Sequence, residues 1–529
     1  MRAITRMMSV GLAALVAMTL AACGSDAGGG NGASDAERGN TFTYAIDQAP
    51  DTFNPVMLVE HTDPVTEMVF RGLVGHDAQN QVVPALASGW TVSPDGLSYE
   101  FALRDGVTWH DGEPFTSADV KFTLDAVRDP ASEAAVAANF TAVTAVETPD
   151  DATVRIELSR PQPALLDALT MGILPEHVLA DKDITDPDFG ASPIGTGPFR
   201  LVEFRDDQYA ELEAFDDFYA GEPGLDEVFI TYVPDATARQ VQLANGEIDG
   251  AFVDPQQAPA VMENEDLRLQ VFPTADYRGL LLNMNRPVFA DPALREALNY
   301  AVDREALVDG VLLGYGQPAT SPLGTSALER PDLAPYSFDP DKVTALMTEA
   351  GYTRDGEGPW TKDGQPVAFS ISTFAEDALR VSLLEVVTTQ LKEQGFEVTA
   401  DPLPRDAVKW EELDAFVIGW GTPYHPDTSL FAPYHSSQVL AKGGSNLGSY
   451  VNSRVDAALE AGRVAQDEAA GAEAYTDFQE AIAEDPPYVW LVYLQALNAF
   501  PADFVGPTER TLEHHGYGLF WNVDTWHWE

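Results

Sequence analysis

The sequence predicts an α/β protein folded in more than one lobe. Apolar residues recur with strand and helix periods in turn through much of the chain, and hairpins join some of the strands. The chain has 529 residues, 45% of them hydrophobic, which is more than one core ordinarily organises. After the amino-terminal stretch no run of about 18 uninterrupted apolar residues occurs, so no later segment is expected to cross a membrane.

The amino terminus is laid out for export. Arg2 and Arg6 supply a positive start, Val10 to Leu20 an apolar run short for a span, and Leu20-Ala21-Ala22 small residues before Cys23. This order resembles a bacterial lipobox, in which the cysteine sulfur is lipidated and the signal is cleaved just before it. The alternative is an ordinary signal peptide with an incidental cysteine. Cys23 is the only cysteine of the chain and is read as a membrane anchor, so no disulfide is expected. Gly24 to Asn40 has almost no apolar side chains and reads as a tether with a reach of roughly 20–25 Å. The first two segments are therefore a signal at 1–22 and a lipidated cysteine with its tether at 23–40.

The folded body follows. "TFTYAIDQAP" puts Phe42, Tyr44 and Ile46 on one face of a strand, "DTFNPV" is a turn, and Val65 to Leu73 is a short helix. In "GLSYEFALRDGVTWHDGEPFTSADVKFTLDAV", Tyr99, Phe101 and Leu103 alternate as a half-buried strand, and Asp105-Gly106 and Asp111-Gly112 make turns. Thr116 or Ser117 then caps a helix with Asp119 in its first turn and the stripe Val120, Leu124 and Val127. "VETPDDATVRIEL" reads as a hairpin, and "SPIGTGPFRLVEF" as a glycine turn and a strand. A helix over "DATARQVQLANGEIDGAFV" stops at Asn245-Gly246, and a strand follows. "YRGLLLNMN" is short enough for a buried strand. Asp291 caps the next helix with Pro292 at its first position, where the missing N–H costs nothing, and Leu294, Ala297, Leu298 and Ala301 form the buried stripe. "DPDKVTALMTEAGY" is a helix ending at Gly351, and "ALRVSLLEVVTTQLKEQGFEVTADPL" is helix, glycine stop and strand. "LDAFVIGWGTPYHPDTSLFAPYHSSQ" is a buried strand opening into an aromatic, proline-rich loop. A helix around Ala469 to Ala483 and the strand "YVWLVYL" come near the end.

Charge and missing motifs exclude several classes. There are 84 Asp plus Glu against 30 Lys plus Arg, a net charge of −54, which repels nucleic acid and anionic lipid. The acids are scattered, so a solvated surface suited to a saline exterior is preferred over attraction of a cationic ligand. No H-E-x-x-H, G-x-S-x-G or G-x-x-x-x-G-K-[ST] occurs, and Gly195-Thr196-Gly197 is read as a tight turn in place of a phosphate cradle. No enzyme and no cofactor is expected.

None of the nine histidines has metal-ligand spacing on a helix. His425 and His435 share the loop after Trp420. They read as loop polarity, with metal or ligand contact in a cleft as the second reading. The loop presents Trp420, Tyr424, Phe431 and Tyr434, and Gly419 and Gly421 flank the tryptophan. Such a surface suits an extended peptide or a planar chelate, and equally an aromatic cover over a core.

The assembled motifs resemble the family 5 extracellular solute-binding proteins of ABC importers, of the peptide- and nickel-binding type. They are the lipobox, "TFTYAIDQAPDTFNP", "RGLVGHDAQNQVVPALASGWTVSPDGLSYEFALRDGVTWHDGEPFTSADVKF", "PIGTGPFRL", "LANGEID" and "DPALREALNYAVDREALV". The resemblance implies a periplasmic-binding-protein-like clamp of two lobes with an extra domain inserted in the first. Lobe I would comprise 41–65, 190–276 and 495–529, the inserted domain 66–189, and lobe III 277–494. "DYRGLLLNMN" and "WLVYLQALNAF" would be the hinge-crossing strands. The protein would be a monomer anchored to the outer face of the cell membrane, and it would hand its ligand to permease and ATPase subunits.

For the ligand, the resemblance implies two candidates. In peptide-binding members an Asp three residues after the loop Trp holds the free ammonium; here that place is Pro423, with Asp427 as the available substitute. Nickel-binding members read Trp-Gly-x-Pro-Tyr, which Trp420-Gly421-Thr422-Pro423-Tyr424 matches, and His435 is the nearest counterpart of their loop histidine. Their chelator-binding Arg has no counterpart between Pro161 and Arg200, and their second pocket Trp is absent near "PASEAAVAANF". The first expectation is a peptide or peptide-like ligand, and the rival is a nickel–chelator complex. The expected ligand residues are Glu60, His61, Gly419, Trp420, Gly421, Tyr424, Asp427 and His435. A ligand-sensing lipoprotein and a secreted hydrolase are the readings from other classes.

Overall fold

The computed structural model describes residues 40–58, 63–324, 326–333 and 336–529. The signal stretch, Cys23, nearly all of the tether, Glu60 and His61 lie outside the described residues. No helix among the described residues is long and apolar enough to cross a membrane.

An 11-stranded sheet organises the protein. Its order from edge to edge is Glu397–Leu403, Ala368–Phe374, Ala415–Ile418, Leu267–Leu282, Tyr488–Pro501, Gly250–Phe252, Thr41–Ile46, Glu227–Tyr232, Tyr209–Ala214 and Phe199–Arg205. Gly316–Pro318 joins as a short strand on Tyr488–Pro501. Pairing is parallel within the groups around Thr41–Ile46 and around Ala368–Phe374, where helices supply the crossovers. The two long central strands, Leu267–Leu282 and Tyr488–Pro501, pair antiparallel. Strands from 41–252 lie on one side of this pair and strands from 368–418 on the other.

Both faces of the sheet are covered. Phe42 and Tyr44 face a large cluster with Val228, Ile230 and Trp526, while Ala45 is buried on the opposite face with Leu243, Val253 and Leu497. The alternation expected for this strand therefore holds for its aromatic face only, because a central strand is buried on both sides. On the other side of the central pair, Leu280, Val417 and Val489 pack under the helices Pro292–Tyr300 and Ala378–Glu393. Tyr277, Phe416 and Trp490 face the helices Ser453–Gly462 and Glu468–Glu484.

Local signals placed most helices. Thr116 is the N-cap of Ser117–Arg128, and its Oγ1 and the Asp119 carboxylate form a capping box. Val120, Leu124 and Val127 are fully buried, against a four-stranded antiparallel sheet ordered Ala87–Val92, Ser98–Leu103, Thr153–Leu158 and Val143–Asp150. Asp291 caps Pro292–Tyr300, but that helix ends at Tyr300 and Asp303 caps a separate helix, Arg304–Gly310. Gly246, at φ +69°, closes the helix Ala236–Asn245 in the left-handed conformation that glycine adopts cheaply.

Gly195 and Gly197 lead into the strand Phe199–Arg205 through a bend at 196–198, and the bend also needs glycine for close approach. Neither has a positive φ, and added Cβ atoms would lie 1.9 Å from the Val69 carbonyl oxygen and 2.1 Å from that of Met68. The end of the helix Pro64–Val69 thus rests on bare backbone. His110 ties the segment: the Gly195 N–H donates to its Nδ1 at 3.3 Å, and its Nε2 donates to the Gly197 carbonyl at 3.0 Å. Burial pushes this imidazole down to about 4, so it is neutral at pH 7.

Candidate functional site

The central strand pair loses its register twice, and the wider break lies between Pro273 opposite Gln495 and Tyr277 opposite Tyr493. The carboxyl-terminal segment fills the gap. Leu512 donates its N–H to the Pro273 carbonyl and accepts from the Ala275 N–H, both at 2.8 Å. The loop leaving Ala415–Ile418 docks beside it, where Tyr277 N–H donates to the Trp420 carbonyl at 3.1 Å and His514 N–H to the Gly421 carbonyl at 3.1 Å. Three stretches far apart in sequence thus meet at Thr274–Tyr277.

At the meeting point stands Asp276, 1% exposed. It pairs with Arg278, accepts from His514 Nδ1 at 2.7 Å and accepts the His515 N–H at 3.1 Å. Metal-ligating atoms of Asp276, His514 and His515 all lie within 4.8 Å of one another. His515 is held at φ +58°, a left-handed conformation uncommon for a residue with a side chain, and it remains exposed.

The electrostatics follow from this packing. Burial opposes ionisation of Asp276, but Arg278 and then His514 outweigh it and hold the carboxyl well below the usual range. Crowding by protein, then the charges of His514 and Arg278, push the His515 imidazole well below its ordinary value. Its neutral ring can therefore act as a ligand at pH 7. Arg380, near the start of the helix Ala378–Glu393, is lowered to about 10 by burial and then by Arg278. Its guanidinium and that of Arg405 lie over the Phe374 ring, at 5.5 and 4.2 Å from the centroid. Arg380 pairs with Asp377 at 2.9 Å as Arg278 pairs with Asp276, so two arginines stand here beside two carboxylates.

The residues expected from the sequence fall in three places. Gly419, Trp420 and Gly421 lie against the break. A Cβ on Gly419 would come 1.9 Å from the Tyr277 carbonyl oxygen, and one on Gly421, at φ +142°, 1.9 Å from that of Ala275. The glycines let the loop approach the strand, and the Trp420 and Gly421 carbonyls already accept protein N–H groups. Trp420 is half-buried against the cluster of Tyr488 and Trp490. Tyr424 stacks on His76, with centroids 3.9 Å apart and planes 6° from parallel, and donates to Glu513 at 2.6 Å.

Asp427 and His435 are engaged elsewhere. Asp427 is buried and accepts from Arg463 Nη2 at 3.3 Å, and Arg463 in turn lies 3.6 Å over Phe431. His435 stacks on Phe431 at 4.3 Å, pairs through Nδ1 with Ser437 at 2.8 Å and faces Asp456 and Glu460. His425 accepts the Asp427 N–H at 3.2 Å and meets Tyr475 edge-on. Sequence reasoning passed over Asp276, Arg278, Arg380, His514 and His515. The adjacent His514-His515 pair was the one visible signal for them.

Residues 81–441 match the model described as bacterial extracellular solute-binding proteins, family 5 middle. Protein XP55 of Streptomyces lividans is 30% identical over 483 residues, covering 90% of this chain and 87% of that protein. The crystal structure of NikZ from Campylobacter jejuni in complex with Ni(L-His) superposes with a TM-score of 0.86 at 34% identity, covering 92% of this chain and 99% of that one. The oligopeptide-binding protein AppA of Bacillus subtilis, in complex with a nonapeptide, superposes at 0.78 with 28% identity, over 93% of this chain and 99% of that one.

Proposed function

The chain belongs to the family 5 bacterial extracellular solute-binding proteins, and we propose that within this family it captures a metal chelate for an ABC importer. The cargo is a divalent transition metal held by a small, carboxylate-bearing organic ligand. One observation carries the reading: His514, His515 and Asp276 converge within 4.8 Å around the buried pair of Asp276 with Arg278, and the charge of Arg380, itself paired with Asp377, reaches the same group. Imidazole suits nickel, copper and zinc, and guanidinium pairs with carboxylate in a planar fork. Asp276 orients His514 as a carboxylate orients a metal-binding imidazole, which leaves Nε2 of that ring as its donor atom for the cargo. The likeness to NikZ with its Ni(L-His) supports the choice.

This ordering reverses the expectation from sequence, which put a peptide first. A peptide remains the second reading, favoured by the half-buried Trp420 and the likeness to AppA. Pro423 offers no carboxylate for a free ammonium, however, and Asp427 is occupied by Arg463. Titration calorimetry with Ni(II) alone and with Ni(II) plus L-histidine tests the choice. The chelate reading expects one stoichiometric site for the mixture, and silence toward both additions overturns it. Native mass spectrometry of protein from its own host that shows a peptide series and no metal favours the second reading.

The proposed domain limits are 41–65, 190–276 and 495–529 for lobe I, 66–189 for the inserted domain, and 277–494 for lobe III. They are supported by the breaks at 276/277 and 494/495, which both fall at the register shift of the central strands. The four-stranded sheet also lies wholly within 66–189. Closure of the lobes would enclose the cargo. Trp420→Ala is expected to weaken cargo binding by roughly 1–3 kcal/mol, as for other desolvated aromatic anchors; calorimetry at unchanged affinity removes Trp420 from the site.

Anchoring through Cys23 is part of the proposal and rests on the lipobox-like residues and the glycine-rich stretch after them. In cells fed radiolabelled palmitate, the wild-type protein is expected to carry label and Cys23→Ser to be unlabelled and released to the medium.

A further inference from the structure

We propose that His76 is a positioning residue that latches the cargo loop to the carboxyl-terminal segment through Tyr424, without touching the cargo. The inference goes beyond the chelate reading, because it concerns how the Trp420 loop is held in place whatever the cargo.

His76 ends the strand Val74–His76, and its side chain is 5% exposed. Its Nε2 pairs with Asp167 Oδ1 at 2.9 Å, which fixes the plane of the ring. On that fixed plane Tyr424 lies face to face at 3.9 Å, with the rings 6° from parallel. One face of the tyrosine is therefore covered by protein. Its hydroxyl donates to Glu513 at 2.6 Å, and Arg510 Nη2 approaches the same oxygen at 3.5 Å. Asp167, His76, Tyr424 and Glu513 thus form one chain of contacts across four separate segments.

The far end of that chain is the site itself. Glu513 precedes His514, whose N–H holds the Gly421 carbonyl at 3.1 Å, three residues before Tyr424. The loop is pinned to the carboxyl-terminal segment twice, at Gly421 and at Tyr424. The segment is pinned in turn from the first part of the chain. The Glu67 carboxylate accepts the N–H groups of Gly518 at 2.9 Å and Phe520 at 3.0 Å, and Asn80 Nδ2 donates to the Thr511 carbonyl at 2.9 Å. The loop lies in proposed lobe III, and its anchors at Glu513, His514 and His76 lie in proposed lobe I and the inserted domain, so the latch joins all three proposed parts. Breaking the stack frees Tyr424, then the loop edge, then the register of His514 with Gly421.

The test uses the mature chain with His76→Ala and His76→Phe. Phenylalanine keeps a flat ring for Tyr424 to cover and loses only the Asp167 pair. Hydrogen–deuterium exchange of 419–426 and 510–518, without cargo, should be about tenfold faster in His76→Ala and close to wild type in His76→Phe. With Ni(II) plus L-histidine as probe, His76→Ala should raise the dissociation rate about tenfold at an unchanged association rate, and His76→Phe should restore it. Unchanged exchange in His76→Ala overturns the latch. So does His76→Phe as loose as His76→Ala while Asp167→Ala, which removes the pair and keeps the imidazole ring, exchanges like wild type, since the stack would then carry nothing. If wild type fails to bind the probe, the chelate reading falls, and the exchange comparison alone still decides for or against the latch.

Discussion

Replacing His514 and His515 together by alanine is expected to lower affinity for Ni(II) plus L-histidine about 100-fold or more, equivalent to ~2.7 kcal/mol. The imidazoles are the nitrogen donors of the convergent group, and neither side chain belongs to the apolar core. Backbone contacts that dock the segment, Leu512 on Pro273 and Ala275 and His514 on Gly421, are kept by the double variant. Losing the His514 Nδ1 hydrogen bond to the buried Asp276 should lower the melting temperature modestly, while the variant stays folded and the calorimetric signal for the cargo is lost. Wild-type affinity in the double variant would sink the chelate assignment.

Asp276→Ala should be the most damaging single change to the fold at this site. The side chain is the partner of Arg278, which is 2% exposed, and it accepts from both His514 and His515. Removing one member of a buried pair leaves the other charge without compensation and costs about 3–5 kcal/mol. The loss should appear in urea denaturation at pH 7, with cargo binding abolished as well. Because the folded carboxyl is held below its ordinary value, its contribution is complete above the unfolded value of about 3.9 and fades only as the pH falls through the lower folded one. The gap between wild type and Asp276→Ala should therefore be the same at pH 5 as at pH 7. A gap that closes by pH 5 would show that Asp276 is not stabilised as an anion.

Signals that act within one helical turn or one hairpin were legible in the sequence. Thr116 with Asp119, Asp291 with Pro292, and Gly246 after Asn245 mark the helix ends where they occur. Caps and turns satisfy backbone groups a few residues away, so their chemistry is complete in a short window. Strand lengths were less legible. "YRGLLLNMN" reads as a short strand, whereas Leu267–Leu282 extends upstream through a half-buried stretch that only its partner Tyr488–Pro501 keeps in the sheet. The separate helix Arg304–Gly310 was hidden because its apolar stripe continues that of Pro292–Tyr300.

The candidate site divides in the same way. The Trp420 loop announced itself by aromatic density next to glycines. Its role in the structure, with Gly419 and Gly421 allowing contact with the strand at Tyr277 and Ala275, needed the strand to be in place. Asp276 and His514 are 238 residues apart, and nothing near either one in the chain marks the other as its partner.

By itself the sequence determined the α/β class, the helix caps, the acidic surface and the resemblance to solute-binding proteins, because composition and local backbone chemistry do not depend on distant residues. Only the tertiary structure decided that the central strands break register at Thr274–Asp276, that the carboxyl-terminal segment enters there, and that two imidazoles meet a buried carboxylate beside two arginines. A buried charge group of this kind is stable only where packing supplies opposite charge and hydrogen bonds, and both come from segments far apart in the sequence.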